Sequence, residues 1–405
     1  MKKLLLLVLI MAPALCFAQG FQVNLDGEQQ IGMGHTGTGT ALDGASIFFN
    51  PGAVVQLPDN YIQAGISPLV FQSEFNPQNT FSTFRTSNQI ATPFTFYGTF
   101  GPKASWWKVG LGVYTPFGGL TNWGDSWPGK YILESLDLKT IFFQPTLSIR
   151  VTDFMSIGAG FVYNHADIDL TQAIPLQNQA GEDGQGHLSG TGKGYGWNAG
   201  VYFKTESGIT IGISHRSGVS TDFTGSAVFT TAASVQSNFP SPNTFTSTVA
   251  LPGTNSIGFG FYPTPKWTLA LDLNVVGWDV FQDLSFKYGK QGGELSTTTL
   301  PMNYGDAGSL RLGAQYKPTS KLALRLGGGY ATAAAGMYNV TPEVPDADRA
   351  YVTAGIGYHI SNHLNVDASF EYERLMPRLS DLYGDFPGTY DTHVYIPGIA
   401  LAYHW

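Results

Sequence analysis

The chain has 405 residues, of which 12% are charged and 14% aromatic, and its formal net charge is −8. A soluble domain usually carries about 25% charged residues, so this composition is unusual for a surface that faces water on all sides. The net negative charge argues against nucleic acid as a partner. Cys16 is the only cysteine and lies in the region predicted to be removed, which excludes disulfides and thiolate chemistry from the mature protein.

Residues 1–18 have the features of a secretory signal peptide. Lys2 and Lys3 give a charged start, 4–11 form an apolar core, and 16–18 form a cleavage site with small residues at both ends. A lipoprotein signal is disfavoured, because the bulky Leu15 precedes Cys16. Cleavage removes two lysines, leaving 19 basic against 29 acidic residues and a net charge of −10.

Alternating sequences predict strands with one apolar and one polar face. From 364 to 373 the even positions are apolar and the odd positions polar, and 267–275 and 321–326 alternate in the same way. Strand side chains point to opposite faces with a period of two. No later segment offers 18 uncharged apolar residues for a spanning helix. The sequence therefore predicts an all-β transmembrane barrel with a polar lumen, in the bacterial outer membrane.

We predict fourteen antiparallel strands joined by alternating short and long connections, with both termini on the periplasmic side. The strands are placed at 60–71, 93–102, 107–117, 138–151, 154–170, 193–205, 208–230, 244–262, 265–288, 307–317, 321–331, 349–360, 363–375 and 391–405. The long connections, expected outside the cell, are 72–92, 118–137, 171–192, 231–243, 289–306, 332–348 and 376–390.

Two groups of residues follow from this topology. Aromatic residues at the periplasmic strand ends are expected at the headgroup level; they are Tyr61, Trp107, Trp267, Tyr316, Tyr403 and Trp405. Inward charges are expected to pair with one another in the lumen; they are Asp272, Arg311, Arg325, Asp367, Glu371 and Glu373.

Residues 19–59 differ from the rest of the chain, because they are rich in glycine and show no sustained alternation. They cannot lie in lipid, and their apolar content makes a free tail unfavourable. We predict that they fold into the lumen as an N-terminal hatch, which leaves 60–405 as the transmembrane barrel.

Nothing in the sequence requires catalysis, and we predict neither an enzyme nor a cofactor. The run 32–37 matches a dinucleotide-binding pattern by letter, but no βαβ unit surrounds it. His359 and His363 straddle a predicted turn without an evident third metal ligand. No nucleophile or zinc-protease motif is present.

Five short motifs resemble, in order, those of the FadL family of outer-membrane long-chain fatty acid transporters, which includes aromatic-hydrocarbon channels of the TodX type. They are Gly20-Phe21-Gln22, Asn50-Pro51, Trp127-Pro128-Gly129-Lys130-Tyr131, Ser156-Ile157-Gly158-Ala159-Gly160 and Pro345-Asp346-Ala347-Asp348-Arg349. The resemblance covers the mature chain and implies a 14-stranded barrel with an N-terminal hatch that includes Phe21, Asn50 and Pro51. Gly52 departs from the family, where alanine is more usual, and 118–137 is shorter than in its well-known members.

The resemblance also implies a route, in which a ligand lands among extracellular loops, enters a deeper pocket and leaves through a kink in the third strand. The matching kink residues are Pro116, Gly118 and Gly119, although they could instead simply end the strand at the rim. The expected capture residues in and next to loop 118–137 are Phe117, Leu120, Trp123, Trp127, Lys130, Tyr131, Ile132 and Leu133. Lys130, Arg311 and Arg325 are possible carboxylate contacts, with ordinary lumen pairing as the alternative for the two arginines.

The expected function is a passive channel for hydrophobic compounds, foremost long-chain fatty acids, in a monomer surrounded by lipopolysaccharide and other outer-membrane lipid. Uptake of monoaromatic hydrocarbons is the alternative within this class. A surface-interaction barrel that does not transport is the alternative from another class, and a lipid hydrolase is a third.

Overall fold

A computed structural model describes residues 20–291 and 295–405. The described strands are β1 (Tyr61–Ile66), β2 (Leu69–Pro77), β3 (Phe84–Arg85), β4 (Ile90–Ala91), β5 (Phe94–Phe100), β6 (Trp107–Tyr114), β7 (Gly118–Asn122), β8 (Ser135–Arg150), β9 (Met155–Ile174), β10 (Gly184–Lys204), β11 (Ile209–Arg216), β12 (Val219–Thr230), β13 (Asn243–Leu251), β14 (Thr254–Thr264), β15 (Trp267–Val276), β16 (Asp283–Tyr288), β17 (Thr298–Pro301), β18 (Ala307–Tyr316), β19 (Leu322–Ala331), β20 (Arg349–His359), β21 (Leu364–Leu382) and β22 (Phe386–His404). Two α-helices, Glu28–Gly32 and Ser46–Phe49, and four 3-10 helices, Pro51–Gln56, Gln236–Asn238, Trp278–Val280 and Met337–Asn339, complete the described elements. None of the described helices is long and apolar enough to cross a membrane.

The strand segments assemble into one closed antiparallel barrel of 14 wall strands, which confirms the predicted fold. The last wall strand, β22, pairs with β21 on one side and with β1 and β2 of the first wall strand on the other. Short turns such as 205–208 lie at one end of the barrel, and long connections such as 332–348 lie at the other. We refer to these as the short-turn end and the long-loop end.

Several predicted connections are shorter than expected, and their limits were wrong. β10 begins at Gly184, and β21 and β22 run to a turn at 383–385, so much of 171–192 and 376–390 is strand. β2 likewise extends through 72–77. On these extensions the inner face still packs, since Phe75, Leu188 and Tyr390 are each 5% exposed or less, whereas most outward side chains are polar and suit water. Without lipid on one face, a strand has no need of the alternation from which it was predicted.

The predicted alternation of faces is confirmed. On β21, Asp367 and Glu371 are buried inside, whereas Phe370 between them is 48% exposed on the outer face. Arg374, the first outward charge on this strand, lies ten residues after Leu364. At about 3.3 Å per residue and a tilt of about 40°, these residues span roughly 25 Å, the height of an outer-membrane apolar band.

Residues 20–60, the inner segment, lie within the lumen ahead of the first wall strand. Its two α-helices and the 3-10 helix Pro51–Gln56 are almost entirely buried. Its polar groups contact barrel residues on wall strands far apart in sequence, including Ser156, Asp272 and Asp367. The segment therefore crosses the lumen and does not run along one wall.

Candidate ligand cavity and wall opening

The third wall strand bends at 115–117, between β6 and β7. On the short-turn side of the bend, β6 pairs with both β5 and β8, whereas β7 beyond the bend pairs with β8. The ladder to the second wall strand ends at the pair Thr95 and Tyr114, and the strands meet again where Ser87 N donates to Asn122 O at 2.8 Å. The wall therefore has an opening in its ladder between these two points.

The first described residues of the inner segment, 20–25, lie against this bend, and we call them the N-terminal stretch. Gln22 and Phe117 form an isolated antiparallel bridge. Val23 N donates to Pro116 O at 2.8 Å, and Gly118 N donates to Phe21 O at 3.2 Å. The N-terminal stretch thus satisfies backbone groups that the bend has removed from the wall ladder.

A cavity of ≈ 350 Å³ runs beside the N-terminal stretch. It extends from Leu120 and Glu343 near the long-loop end to Phe94 and Ile141 on the outer barrel face. Most of its inner lining is apolar and consists of Phe21, Val23, Leu25, Leu69, Phe71, Phe117, Leu138, Val344, Leu375, Val394 and Ile396. Because residues of both barrel faces line it, the cavity connects the lumen with the wall opening. Its size lies within the range of small-molecule sites, about 300–1,000 Å³.

Polar groups form one side of this cavity. Arg349 is 7% exposed, and its guanidinium donates to Gly20 O at 3.1 Å and lies 3.4 Å from the Glu373 carboxylate and 3.5 Å from the Asp346 carboxylate. His35 Nε2 lies 2.7 Å from Glu371 Oε2. Both groups belong to the lining, so the apolar cavity has one charged wall.

Residues 26–58 of the inner segment are tied to the barrel by buried hydrogen bonds, and we call them the anchored part. Gly37 N and Thr38 N both donate to Asp272 Oδ2, at 2.9 and 2.8 Å. Gln29 donates to Asp367 at 3.1 Å, and Ser156 donates to Gly52 O at 2.7 Å. These bonds reach several wall strands, so the anchored part cannot shift without breaking contacts on several sides.

Barrel glycines let the anchored part approach the wall closely. A Cβ at Gly212 would overlap the Thr38 carbonyl, and one at Gly327 would overlap the backbone at Gly34. A Cβ at Gly32 would lie 3.0 Å from Gly355 Cα. Part of the high glycine content therefore serves backbone-to-backbone packing between the anchored part and the barrel.

Several acidic groups of the anchored part are buried. Burial raises the pKa of Asp26 to about 8, although the positive charges of Arg216 and Arg311 act to lower it. Both carboxylate oxygens of Asp26 are without a hydrogen-bond partner among the described residues. Burial also raises the pKa values of Glu28 and Asp43.

The predicted capture residues fall into different environments. Phe117 and Leu120 line the cavity. Trp123 and Trp127 are 5% and 2% exposed and stack with ring centroids 4.6 Å apart, so neither ring lies on the loop surface. They also pack against Tyr390 and Phe386, because the 123–134 loop folds back onto β22. Their contribution to capture stays a prediction.

The remaining loop residues lie away from the cavity lining. Lys130 Nζ and Tyr131 Oη both contact Asp183, at 2.6 and 2.9 Å, on the exposed loop surface. Ile132 is partly buried, and Leu133 belongs to the apolar core beneath the tryptophans.

The two predicted lumen arginines also lie outside the lining. Arg311 donates to Asn24 Oδ1 and His35 O at 3.1 and 3.3 Å. Arg325 forms a buried 2.6 Å ion pair with Asp367. That pair confirms the prediction of mutual lumen pairing. Asp272, Arg311 and Glu371 instead bond the inner segment, because that segment fills the space between them.

Among the predicted kink residues, Pro116 lies at the bend, and Gly118 and Gly119 begin β7 immediately after it. Of the predicted hatch residues, Phe21 packs against Trp278 with centroids 4.7 Å apart. The Asn50 side chain donates to Thr38 O and Val201 O. Trp278 itself was missed, because we expected 265–288 to be one continuous strand. The 3-10 helix Trp278–Val280 interrupts it, and Trp278 is fully buried.

At the short-turn end, His363 Nδ1 lies 3.0 Å from His404 O, and His404 Nδ1 lies 2.9 Å from Asp59. Across 20–291 and 295–405, no group of three or more His, Cys, Asp or Glu side chains is placed to hold a metal ion.

Fold and site together define a class, a β-barrel membrane protein with a filled lumen, an apolar cavity and an interrupted wall. The chain matches the family described as "Outer membrane protein transport protein (OMPP1/FadL/TodX)" over residues 9–403, and it belongs to that family.

Relatives and solved structures agree with this assignment. The long-chain fatty acid transport protein of Salmonella typhi is 25% identical over 390 residues, covering 88% of this chain and 87% of the relative. That of Escherichia coli (strain K12) is 24% identical, covering 88% of each chain. The crystal structure of a Pseudomonas aeruginosa FadL homologue superposes with a TM-score of 0.84 at 17% identity, covering 95% of this chain and 99% of the other. The Pseudomonas putida toluene transporter TodX gives 0.75 at 16% identity, covering 94% and 99%.

Proposed function

We propose that this protein is a passive channel for hydrophobic compounds, foremost long-chain fatty acids, and that its ligand leaves sideways through the opening in the wall. In this proposal the inner segment is the hatch that closes the lumen to the periplasm. The two curated relatives reported above are named long-chain fatty acid transport proteins, which favours fatty acids as the main cargo.

The observation that carries the proposal is the continuity of the cavity with the wall opening. Its lining includes Leu120 near the long-loop end, Phe117 at the bend and Ile141 on the outer face. A ligand that followed this lining would reach the outer barrel surface without displacing the anchored part, which remains bonded to several wall strands.

The energetics suit transport without tight recognition. Burying a methylene group contributes about 0.8 kcal/mol, so a chain of a dozen carbons gains roughly 10 kcal/mol before the costs of association. An apolar lining with few polar contacts supplies this gain at many positions. A ligand can therefore move along the cavity while its binding free energy changes only gradually. Release into lipid then costs little.

The test restores the missing ladder. Replacing Pro116 with Thr, Gly118 with Val and Gly119 with Thr favours regular strand pairing, because proline lacks a backbone donor and glycine weakens strands. We expect uptake of a labelled long-chain fatty acid to fall sharply in cells that carry equal amounts of variant and parent barrel.

Gly98→Val is the matched control, because a Cβ at Gly98 meets no atom within 4 Å and adds a β-former outside the bend. It should transport like the parent. Normal uptake by a correctly inserted triple variant would rule out the lateral exit and favour a route past the inner segment.

A further inference from the structure

Resting on the proposed function, we propose that Arg349 binds the carboxylate head group of the cargo and that the cavity selects anionic amphiphiles over uncharged hydrocarbons. Arg349 lies at the start of β20, and its side chain is part of the cavity lining.

Arg349 is less completely bonded than the other buried lumen arginines. Arg325 holds Asp367 at 2.6 Å and Gln315 at 2.8 Å, and Arg216 donates to Tyr114 Oη at 2.6 Å. Arg349 lies 3.4 and 3.5 Å from its two carboxylates, and its Nε has no hydrogen-bond partner among the described residues. A guanidinium carries five donors in a planar fork that fits a carboxylate, so Arg349 retains donor capacity for a ligand.

The position of Arg349 also distinguishes it from the other basic residue of the lining. Lys139 lies where the cavity meets the outer face. Its side chain is 62% exposed, and its Nζ forms an ion pair with Asp137 Oδ2 at 2.5 Å. Arg349 instead lies where water is largely excluded, and there a charge-assisted hydrogen bond is stronger than at an exposed surface. The apolar residues Val344, Leu375 and Ile396 share the lining with it and can take the hydrocarbon chain.

The acidic neighbours of Arg349 moderate the affinity of the site for a carboxylate. Glu373 and Asp346 compete with a ligand carboxylate for the guanidinium, which limits affinity and favours release. Gly20 O also accepts from Arg349, at 3.1 Å, so an arriving head group competes with the N-terminal stretch for the same donors.

The test compares binding of dodecanoic acid, dodecanol and toluene to the full-length purified barrel, at a pH where the acid is ionised. Arg349→Gln alone would leave Glu373 without its partner, so the main variant is Arg349→Gln with Glu373→Gln, which keeps the local charge balance. We expect this variant to bind the acid about tenfold more weakly and to bind dodecanol and toluene as the parent does.

Glu373→Gln alone should strengthen binding of the acid without changing that of the alcohol, an effect that a purely structural role of Arg349 does not produce. Circular dichroism in detergent confirms that each variant remains folded. An unchanged preference for the acid in the double variant would overturn the proposed role of Arg349 but not the proposed function. Equal binding of acid and alcohol by the parent would have the same meaning. A parent that bound none of the three compounds would contradict the proposed function as well.

Discussion

The two parts of the inner segment are held in different ways. The anchored part, 26–58, bonds buried side chains of several wall strands and packs its backbone against barrel glycines such as Gly212. The N-terminal stretch, 20–25, is held by two backbone bonds to the bend, by hydrogen bonds from Arg349 and Arg311, and by the packing of Phe21.

This difference indicates which part can move. Displacing the anchored part would break bonds on several wall strands together and leave buried polar groups unpaired, each at a cost of about 1–3 kcal/mol. Displacing the N-terminal stretch breaks few bonds and exposes the wall opening. The architecture therefore favours a static plug beside a movable stretch, and a route through the wall.

The largest effect should come from forcing the anchored part off the wall. Gly212→Val places side-chain atoms where the Thr38 carbonyl lies, so the inner segment must shift. We expect a clear rise in ion conductance of the barrel in planar bilayers. Gly98→Val, with open space around its Cβ, should conduct like the parent. Equal conductance of the two variants would contradict a tightly fitted plug.

A smaller effect should follow from removing one anchor. Asp272→Ala leaves the Gly37 and Thr38 N–H groups without their acceptor. We expect the free energy of unfolding to fall by about 2 kcal/mol or more, measured by denaturant unfolding in detergent. Asp167→Ala removes an exposed outer-face carboxylate and should change stability little. A loss as large in the control would show that anchoring is not the cause.

The aromatic pair of the 123–134 loop should matter through packing. Trp123→Ala with Trp127→Ala removes the stacked pair and its edge contacts with Tyr390 and Phe386, and should loosen the loop above the cavity. Fatty acid binding should weaken while the barrel still assembles, because the loop contributes little to closure of the sheet. Binding measured on the inserted double variant checks this, and an unchanged affinity would count against the loop.

The smallest effect concerns pH. The pKa of Asp26 rises from its ordinary value of 3.8 to about 8 on burial. A carboxyl group with a raised folded-state pKa stabilises the fold below its unfolded-state pKa. This contribution is lost progressively as the pH rises from about 4 to about 8. The unfolding temperature should therefore fall across this range, and Asp26→Asn should flatten the decline. A parallel decline in both proteins would assign it to other groups.

The barrel could be predicted from sequence because the alternation of apolar and polar residues is visible within each strand, as β21 and β15 show. The wall opening could be placed only through a family resemblance, since Pro116 and its glycines also suit an ordinary strand end. The pairing of Val23 with Pro116 joins residues far apart in the chain and leaves no periodic trace. Arg349 lies within the motif 345–349. Which buried arginine is free to bind a ligand, however, depends on distances to partners that a sequence does not contain.

Two engineered disulfides test the central claim most directly, since the mature chain is expected to have no cysteine of its own. Gln22→Cys with Phe117→Cys uses an antiparallel bridge, whose Cα atoms lie about 4.5–5.5 Å apart, and ties the N-terminal stretch to the bend. Gly44→Cys with Tyr61→Cys ties the anchored part to β1, because a Cβ at Gly44 would lie 3.6 Å from Tyr61 Cβ, within the usual span of a disulfide. Fatty acid uptake should stop in the oxidised first variant and return on reduction, while the second should transport about equally in both states. Uptake that persists with the first disulfide closed and fails with the second would contradict the account.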